Sequence, residues 1–360
     1  MKIIALHGQI RKLKLKEPYS IAYESVDSCD GVFIRLQTDK GMTGFGFAAP
    51  DLEVTGETAE EVYSSFNSII EPILKGCDVF QYAWIMESLK DSLPKHPSAR
   101  AMVDMALFDI IAQKAGVPLY KMLGGYRKEI ATSITIGILP LQMTLDQAEE
   151  HIKRGFKILK IKGGKFVEED IEKIIRIREL GGRQIGIRFD ANQGYSLEDS
   201  IRFMKETEEA EVELLEQPTR RDDLELLKKV TQRASIPVMA DESLLSLSDV
   251  FQLSKNSSSD LINIKLMKTG GIMEAMHINS VARAAGIKAM VGCMDESALG
   301  IAAALHFTLS RPNVEYADLD GHLDVVDDPF EGMLKIQDGI IYPPEAPGLG
   351  WVGMNKIRFD

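Results

Sequence analysis

The chain has 360 residues, 45% of them hydrophobic, which suffices for one large domain or two ordinary ones with a sizeable core. Acids outnumber Lys plus Arg by 54 to 42, a net charge of −12, and this argues against a nucleic-acid partner, which needs clustered cations. Cys29, Cys77 and Cys293 are odd in number and far apart, so neither a disulfide framework nor a zinc site is indicated; with no stretch approaching ~20 uncharged apolar residues, a soluble cytoplasmic protein without membrane contact is expected.

The first 60 residues alternate as strands do. "GVFIRLQTDKGMTGFGFAAP" reads as two strands joined by a turn at Asp39-Lys40-Gly41. Its glycines lie in a hairpin and not between a strand and a helix, which sets aside a dinucleotide-binding fingerprint. "TAEEVYSSFNSIIEPIL", "YAWIMESL" and "SARAMVDMALFDIIAQKAG" then carry apolar residues at helical spacing, the last ending at Gly116 with Pro118 following. The opening region, 1–125, is therefore expected to be an α+β unit.

From about Thr132 short β-branched runs alternate with amphipathic helical stretches. Their C-terminal ends fall near residues 138, 162, 190, 216, 241, 265, 292 and 320. The spacing of roughly 24 to 28 residues is one strand, one helix and two loops. Eight near-equal units without a long crossover predict closure into a (β/α)8 barrel over 126–320, in preference to an open doubly wound sheet.

Loops at those C-terminal ends build the active sites of such barrels. In order they carry Lys160 and Lys162, Asp190, Glu216, Asp241 and Lys265, with Asp318 and Asp320 closing the eighth unit. Three acids at adjacent strand ends repel one another unless a cation neutralises them, and an oxygen-only set suits Mg²⁺, with Mn²⁺ a substitute. Strands two and six are diametrically opposite in an eight-stranded barrel, so Lys162 and Lys265 should flank one substrate. A substrate carboxylate at the metal would place its α-carbon between two bases, one removing a proton and the other returning one through an enediolate. That is racemase or epimerase chemistry. Lys162 must then be basic as the free amine, and the neighbouring charge of Lys160 and the metal are expected to lower it from ~10.4 toward ~7 to 8.

With these residues in hand the chain resembles the enolase superfamily, muconate-lactonising subgroup, and within it the dipeptide epimerases typified by L-Ala-D/L-Glu epimerase. The resemblance spans nearly the whole chain and rests on "SARAMVDMALFDIIAQKAGVPLYKMLGG", "KIK", "DANQGY", "EQP", "ADES", "KLMKTGG" and "GCMDESALG", in order. It implies an enolase-like modified TIM barrel under an N-terminal capping domain, completed by the tail, 321–360. It implies Lys162 and Lys265 as the acid/base pair, Asp190, Glu216 and Asp241 as Mg²⁺ ligands, and Lys160, Asn192 and Glu242 as supporting residues. Enolase-superfamily sites of this type pair a Lys or His base with one or two Mg²⁺ ions. Mandelate-racemase-like members use a His on the seventh strand, and "AMVGCM" has none.

"DLD" at Asp318 and Asp320 resembles the pair that binds the free α-amino group of a dipeptide, which cycloisomerases and N-succinylamino-acid racemases, the alternatives in this subgroup, would not need. The substrate expected is an L-Ala-L-Xaa dipeptide inverted at its C-terminal residue, bound to a homo-oligomeric enzyme. Thr135, Asp295, Glu296 and Ser297 complete the expected substrate contacts. In "PYSIAYESV" Glu24 stands where Ala-Glu epimerases carry an Arg. Together with Asp51 and Asp295 it predicts a pocket that repels an L-Glu side chain and prefers Lys or Arg over hydrophobic or Glu-containing dipeptides. A Schiff-base lyase and a non-catalytic binder remain as other classes. His306, in the apolar "GIAAALHF", is expected to be packed, and Cys293 to line the pocket without acting as a nucleophile.

Overall fold

In a computed structural model, which describes residues 1–20 and 25–353, the chain opens with three antiparallel strands, Ile3–Ser20, Ser25–Thr38 and Thr43–Ala48. The turn falls where the sequence places it, closed by Thr38, whose backbone N–H donates to Met42 O at 2.9 Å and whose hydroxyl accepts from Met42 N at 3.1 Å. Helices follow at Ala59–Ser65, Tyr82–Ser92 and Pro97–Ala115.

The helix Pro97–Ala115 is hydrophobic on nearly every side, and residues 98–112 are all buried. A helix apolar all round must be covered all round. One side lies on the strand Thr43–Ala48, the other on the segment following the sixth barrel strand. Two buried aspartates fasten it. Asp109 accepts from Phe45 N at 3.1 Å and Leu349 N at 2.8 Å, and Asp104 accepts from Ile272 N at 2.5 Å and Met273 N at 3.4 Å, satisfying N–H groups in the first turn of the helix Ile272–Ala284. Burial pushes the Asp104 carboxyl up to about 8 and that of Asp109 up to about 6.

The barrel strands are Ile134–Ile136, Ile158–Lys162, Gly186–Asp190, Val212–Glu216, Val238–Ala240, Leu261–Ile264, Lys288–Val291 and Val314–Ala317. They pair in chain order and in parallel. Ser133 N donating to Ala317 O at 3.1 Å and Leu319 N donating to the Thr132 hydroxyl at 2.8 Å join the eighth strand to the first. The expected closed barrel is the architecture found.

Register decides what the barrel mouth contains. Lys160 is level with Arg188, Lys162 with Asp190, and Asp190 with Glu216. Since alternate residues of a strand face the same way, the lower level is filled by Leu214, Met239, Leu261 and Met290, against which Tyr316 packs. Arg188 caps this level, its guanidinium 5.0 Å from the Tyr316 ring centre and 2.9 Å from the Glu213 carboxylate. Glu216 and Asp241 each stand two residues beyond a member of this apolar plug, Leu214 and Met239.

Beyond residue 320 the chain divides its contacts. Val325–Val326 adds a short strand beside Lys14 and Leu15, whereas Lys335–Gln337 and Ile340–Tyr342 make a small sheet with Ile130–Ala131. His306 is fully buried, its Nδ1 accepting from Tyr120 N at 3.1 Å, in keeping with a packing role. No helix among the described residues is long and apolar enough to cross a membrane.

The close approach of strand and helix makes a sharp test. A Cβ on Gly46 would lie 1.8 Å from Met102 O, a backbone atom that cannot swing aside. Gly46→Ala should therefore cost about 3 kcal/mol, visible as a lowered urea midpoint at unchanged m-value.

Candidate active site

Lys160, a cation inside an apolar strand, is neutralised from three sides. Its ammonium lies 2.9 Å from Glu216 Oε2, 3.0 Å from Asp318 Oδ2 and 3.2 Å from Asp190 Oδ2, and the side chain is only 2% exposed. Burial alone would lower this lysine, but the three carboxylates, Asp318 first, outweigh it and hold the ammonium well above its usual range. This revises the expectation drawn from sequence. The charge of Lys160 is spent on acids from three other strands and is not left to press on Lys162.

Glu216, Asp241 and Asp190 come together as the strand ends predict. One carboxylate oxygen from each lies within 4.8 Å of the others, all three side chains being buried. This set fits a hard divalent cation: every donor is oxygen, and Glu216 Oε2 accepts no well-directed hydrogen bond among the described residues. Burial raises the Glu216 carboxyl to about 8 despite Lys160. Asp241 goes the other way, because the lysines at 265, 268 and 160 outweigh the effect of burial. The Asp190 carboxylate is oriented by Asn192 N, which donates to its Oδ1 at 3.0 Å from a left-handed backbone with φ of 41°.

A cavity of about 270 Å³ opens at the strand ends. Lys162 and Lys265, from strand two and just past strand six, both line it, together with Thr135, Asp295, Asp318 and Asp320. Lys265 Nζ pairs with Asp241 Oδ2 at 2.9 Å, and that carboxylate, against the lowering effect of burial, keeps the ammonium above its usual range. Asp318 and Asp320 are buried, at 4% exposure each. Asp318 Oδ1 accepts from the Ser133 hydroxyl at 2.6 Å, and Asp320 Oδ2 accepts from Thr135 N at 2.6 Å. The two diverge electrostatically. Asp318, beside Lys160 and against the effect of burial, is held down near 2, whereas burial and the charge of Asp318 raise Asp320 to about 7.

Other expected contacts fall elsewhere. Asp51 is outside the cavity lining; its Oδ1 accepts from Glu53 N and Val54 N, both at 2.8 Å, so the carboxylate is consumed by its own turn. Ser297 caps the helix Ala298–Ser310, and its hydroxyl donates to Asp328 at 2.7 Å. Glu296 is buried and accepts from Met294 N at 3.1 Å, with burial raising it to about 8. Glu242 is buried beside Asp241, its Oε2 accepting no hydrogen bond among the described residues, and burial followed by the charges of Asp241 and Asp190 raises it to about 7. Glu24 lies outside the described residues.

Three residues of the site were not singled out from sequence. The ammonium of Lys268, fully buried, contacts both the carboxylate and the main-chain oxygen of Asp241. Asn263 Nδ2 donates to Glu216 Oε1 at 2.8 Å. The Gln217 side chain ties two strand ends, accepting from Asp241 N at 2.8 Å and Ser243 N at 3.1 Å while donating to Thr219 O at 2.9 Å and Ser243 Oγ at 2.8 Å. A lysine three after Lys265 and an asparagine two before it, inside "LINI", were the available signals.

Eight parallel strands with three carboxylates and two cavity-facing lysines at their C-terminal ends define a metal-assisted (β/α)8 enzyme. Residues 143–354 match the enolase C-terminal domain-like family, and residues 7–124 match the N-terminal domain of the mandelate racemase / muconate lactonizing enzyme family. The chain belongs to this enolase-superfamily group. It is 40% identical over 362 residues to an L-Ala-D/L-Glu epimerase of Bacillus subtilis, covering 99% of both chains. It is 42% identical to an L-Lys-D/L-Arg epimerase of Desulforapulum autotrophicum, over 97% of this chain and 99% of that one. The crystal structure of an Enterococcus faecalis dipeptide epimerase with Mg and L-Leu-L-Tyr superposes with a TM-score of 0.94 at 38% identity, over 97% and 99% of the two chains.

The role of Gln217 can be measured directly. Gln217→Met keeps the volume but severs the link between the ends of strands four and five, and calorimetric affinity for a divalent cation should fall about 10- to 100-fold.

Proposed function

We propose that the protein is a magnesium-dependent dipeptide epimerase, inverting the α-carbon of the C-terminal residue of L-Ala-L-Xaa-type dipeptides. The observation that carries this reading is the pairing of two lysines in one cavity with a buried acid pair, Asp318 and Asp320, and an adjoining three-carboxylate cation site. The substrate of an N-acylamino-acid racemase has no free α-ammonium group to match that pair, whereas a free dipeptide does.

Asp190, Glu216 and Asp241 would hold Mg²⁺, whose charge stabilises the negative charge that gathers on the substrate carboxylate as the α-proton leaves. Lys162, as the free amine, takes the α-proton at one face, and the electron pair left on the carbon delocalises into the carboxylate. Lys265, as the ammonium, returns a proton to the opposite face, so the centre inverts with no change in composition. Asp318 and Asp320 accept hydrogen bonds from the substrate ammonium, with Thr135 holding Asp320 in place. Lys160, Asn192, Glu242 and Glu296 support the site, and Ser297 fixes the helix that follows strand seven. In this reading residues 1–125 form the capping domain, 126–320 the barrel and 321–360 the completing segment of a cytoplasmic homo-oligomer.

Incubation with L-Ala-L-Xaa dipeptides and Mg²⁺ in D₂O should introduce one deuterium at the C-terminal α-carbon, read by mass spectrometry, and EDTA should abolish it. Lys162→Ala and Lys265→Ala should each lower epimerisation by at least about 100-fold, while each retains exchange from one epimer only. Epimerisation that survives the loss of either lysine would overturn the two-base assignment.

For the side chain of Xaa we favour Lys or Arg. Of the three acids expected to create that preference, Asp295 lines the cavity, Asp51 does not and Glu24 is outside the described residues. The relatives at 38% to 42% identity include glutamate, cationic and hydrophobic ligands or substrates in their names, so overall similarity does not choose among them. Asp295→Asn is expected to reduce the kcat/KM ratio of L-Ala-L-Lys over L-Ala-L-Leu by about tenfold, or about 1.4 kcal/mol. An unchanged ratio returns the hydrophobic and Glu-containing dipeptides to the front.

A further inference from the structure

Lys162 ends its strand and is followed at once by a loop, so the direction of its side chain depends on how that loop is held. The loop's first N–H, that of Gly163, donates to Asp190 O at 2.9 Å, continuing the sheet by one bond. At the next residue, Gly164, φ is +99° and a Cβ would lie 1.9 Å from Ala191 O, so the chain turns sharply while pressed against the loop that carries Asp190 and Asn192. Only glycine fits there. A turn made by glycine is held by its neighbours and not by its own side chain.

Those neighbours are Asp170 and Tyr195. Asp170, on the first turns of the helix Val167–Gly181, reaches back so that its Oδ2 accepts from Gly164 N at 2.8 Å and from the Tyr195 hydroxyl at 2.9 Å. Tyr195 lies five residues past Asp190, and its ring stacks on Phe189 at 5.9 Å between ring centres and meets Phe203 at 5.8 Å. Both residues are buried, at 2% and 5% exposure, and the second oxygen of Asp170 faces Lys173 Nζ at 3.9 Å. Neither Asp170 nor Tyr195 lines the cavity. A buried carboxylate with a buried lysine at its far side is costly to assemble, and here it is aimed at a single main-chain N–H two residues from Lys162.

We propose that Asp170 and Tyr195 are positioning residues for Lys162, locking the loop after strand two to the loop after strand three so that the Lys162 amine is aimed at the α-carbon. This rests on the epimerase reading above. Lys265 is held by a separate set of contacts, through Asp241 and through its own carbonyl, which accepts from Lys268 N at 3.0 Å and Thr269 N at 3.1 Å. Loosening Asp170 should therefore disturb one face of the substrate and spare the other.

The test measures α-deuterium exchange in D₂O with Mg²⁺ from each epimer of L-Ala-Xaa separately. The epimer whose exchange disappears in Lys162→Ala defines the Lys162 face. Asp170→Ala is expected to lower exchange at that face by about 100-fold, the effect of a misplacement of about 1 Å, with less than about a twofold change at the Lys265 face. Asp170→Asn keeps an oxygen for Gly164 N and the Tyr195 hydroxyl, and should restore most of the lost rate. Tyr195→Phe preserves the ring stack and should show a smaller loss at the same face, which serves as the readout should Asp170→Ala fail to fold. Equal loss at both faces, or none, in the variants that fold overturns the inference while leaving the epimerase intact. No exchange in the unaltered protein overturns both.

Discussion

The neutralisation of Lys160 by three carboxylates is the contact on which the barrel mouth depends. Seven acids are buried around it, at positions 190, 216, 241, 242, 296, 318 and 320, against lysines at 160, 162, 265 and 268. Lys160 touches acids from the third, fourth and eighth strands at once, and so fixes the distance between the cation site and the pair proposed to bind the substrate ammonium. Lys268 performs a comparable task for Asp241. Four of the seven, Glu216, Glu242, Glu296 and Asp320, are raised to between about 7 and 8, with burial the first cause in each. An excess of acid over lysine in one buried volume is what a divalent cation relieves, and it explains why an acidic site can sit on an apolar plug without collapsing into it.

Much of this was legible in the sequence because barrel geometry converts position into chemistry. A residue at the C-terminal end of each β-branched run faces the mouth, so Lys162, Asp190, Glu216 and Asp241 could be placed from strand ends alone. What escaped has two physical causes. Asp51 and Ser297 are residue types that serve equally as ligands and as caps of their own backbone, and the local hydrogen bond prevailed in both. Lys268 and Asn263 act through other residues, and periodicity shows which face a side chain takes but not whom it touches. Lys160 was read as repelling its neighbour because the strand was considered alone. Its partners come from strands 30 to 158 residues away in sequence, Asp190 and Asp318 being the extremes.

The joint between cap and barrel follows the same logic of buried acids on main-chain N–H groups. Asp104 bonds the segment following Lys265 and Lys268, and Asp109 joins the second strand pair to Leu349. The helix that bears both is thus a strut between the N-terminal antiparallel sheet and the segment after strand six that supplies one of the lysines. Such a strut transmits position, not specificity, since neither aspartate lines the cavity.

This separates two kinds of constraint within one fold. In the proposed epimerase the lysines, the three carboxylates and their tethers would have to keep their relative geometry to within a fraction of an ångström for proton transfer, and they are placed at strand ends and supported by buried bonds. The side chain of the substrate's second residue needs only a complementary wall, which loops can provide without disturbing that frame. Relatives that share the frame can therefore differ in ligand while remaining about 40% identical, as the glutamate-, arginine- and tyrosine-containing cases do. Asp295 occupies the boundary between the two, on a segment fixed by strand seven at one end and by the Ser297 cap at the other, which makes it the acid best placed to impose a charge preference that loop motion does not average away.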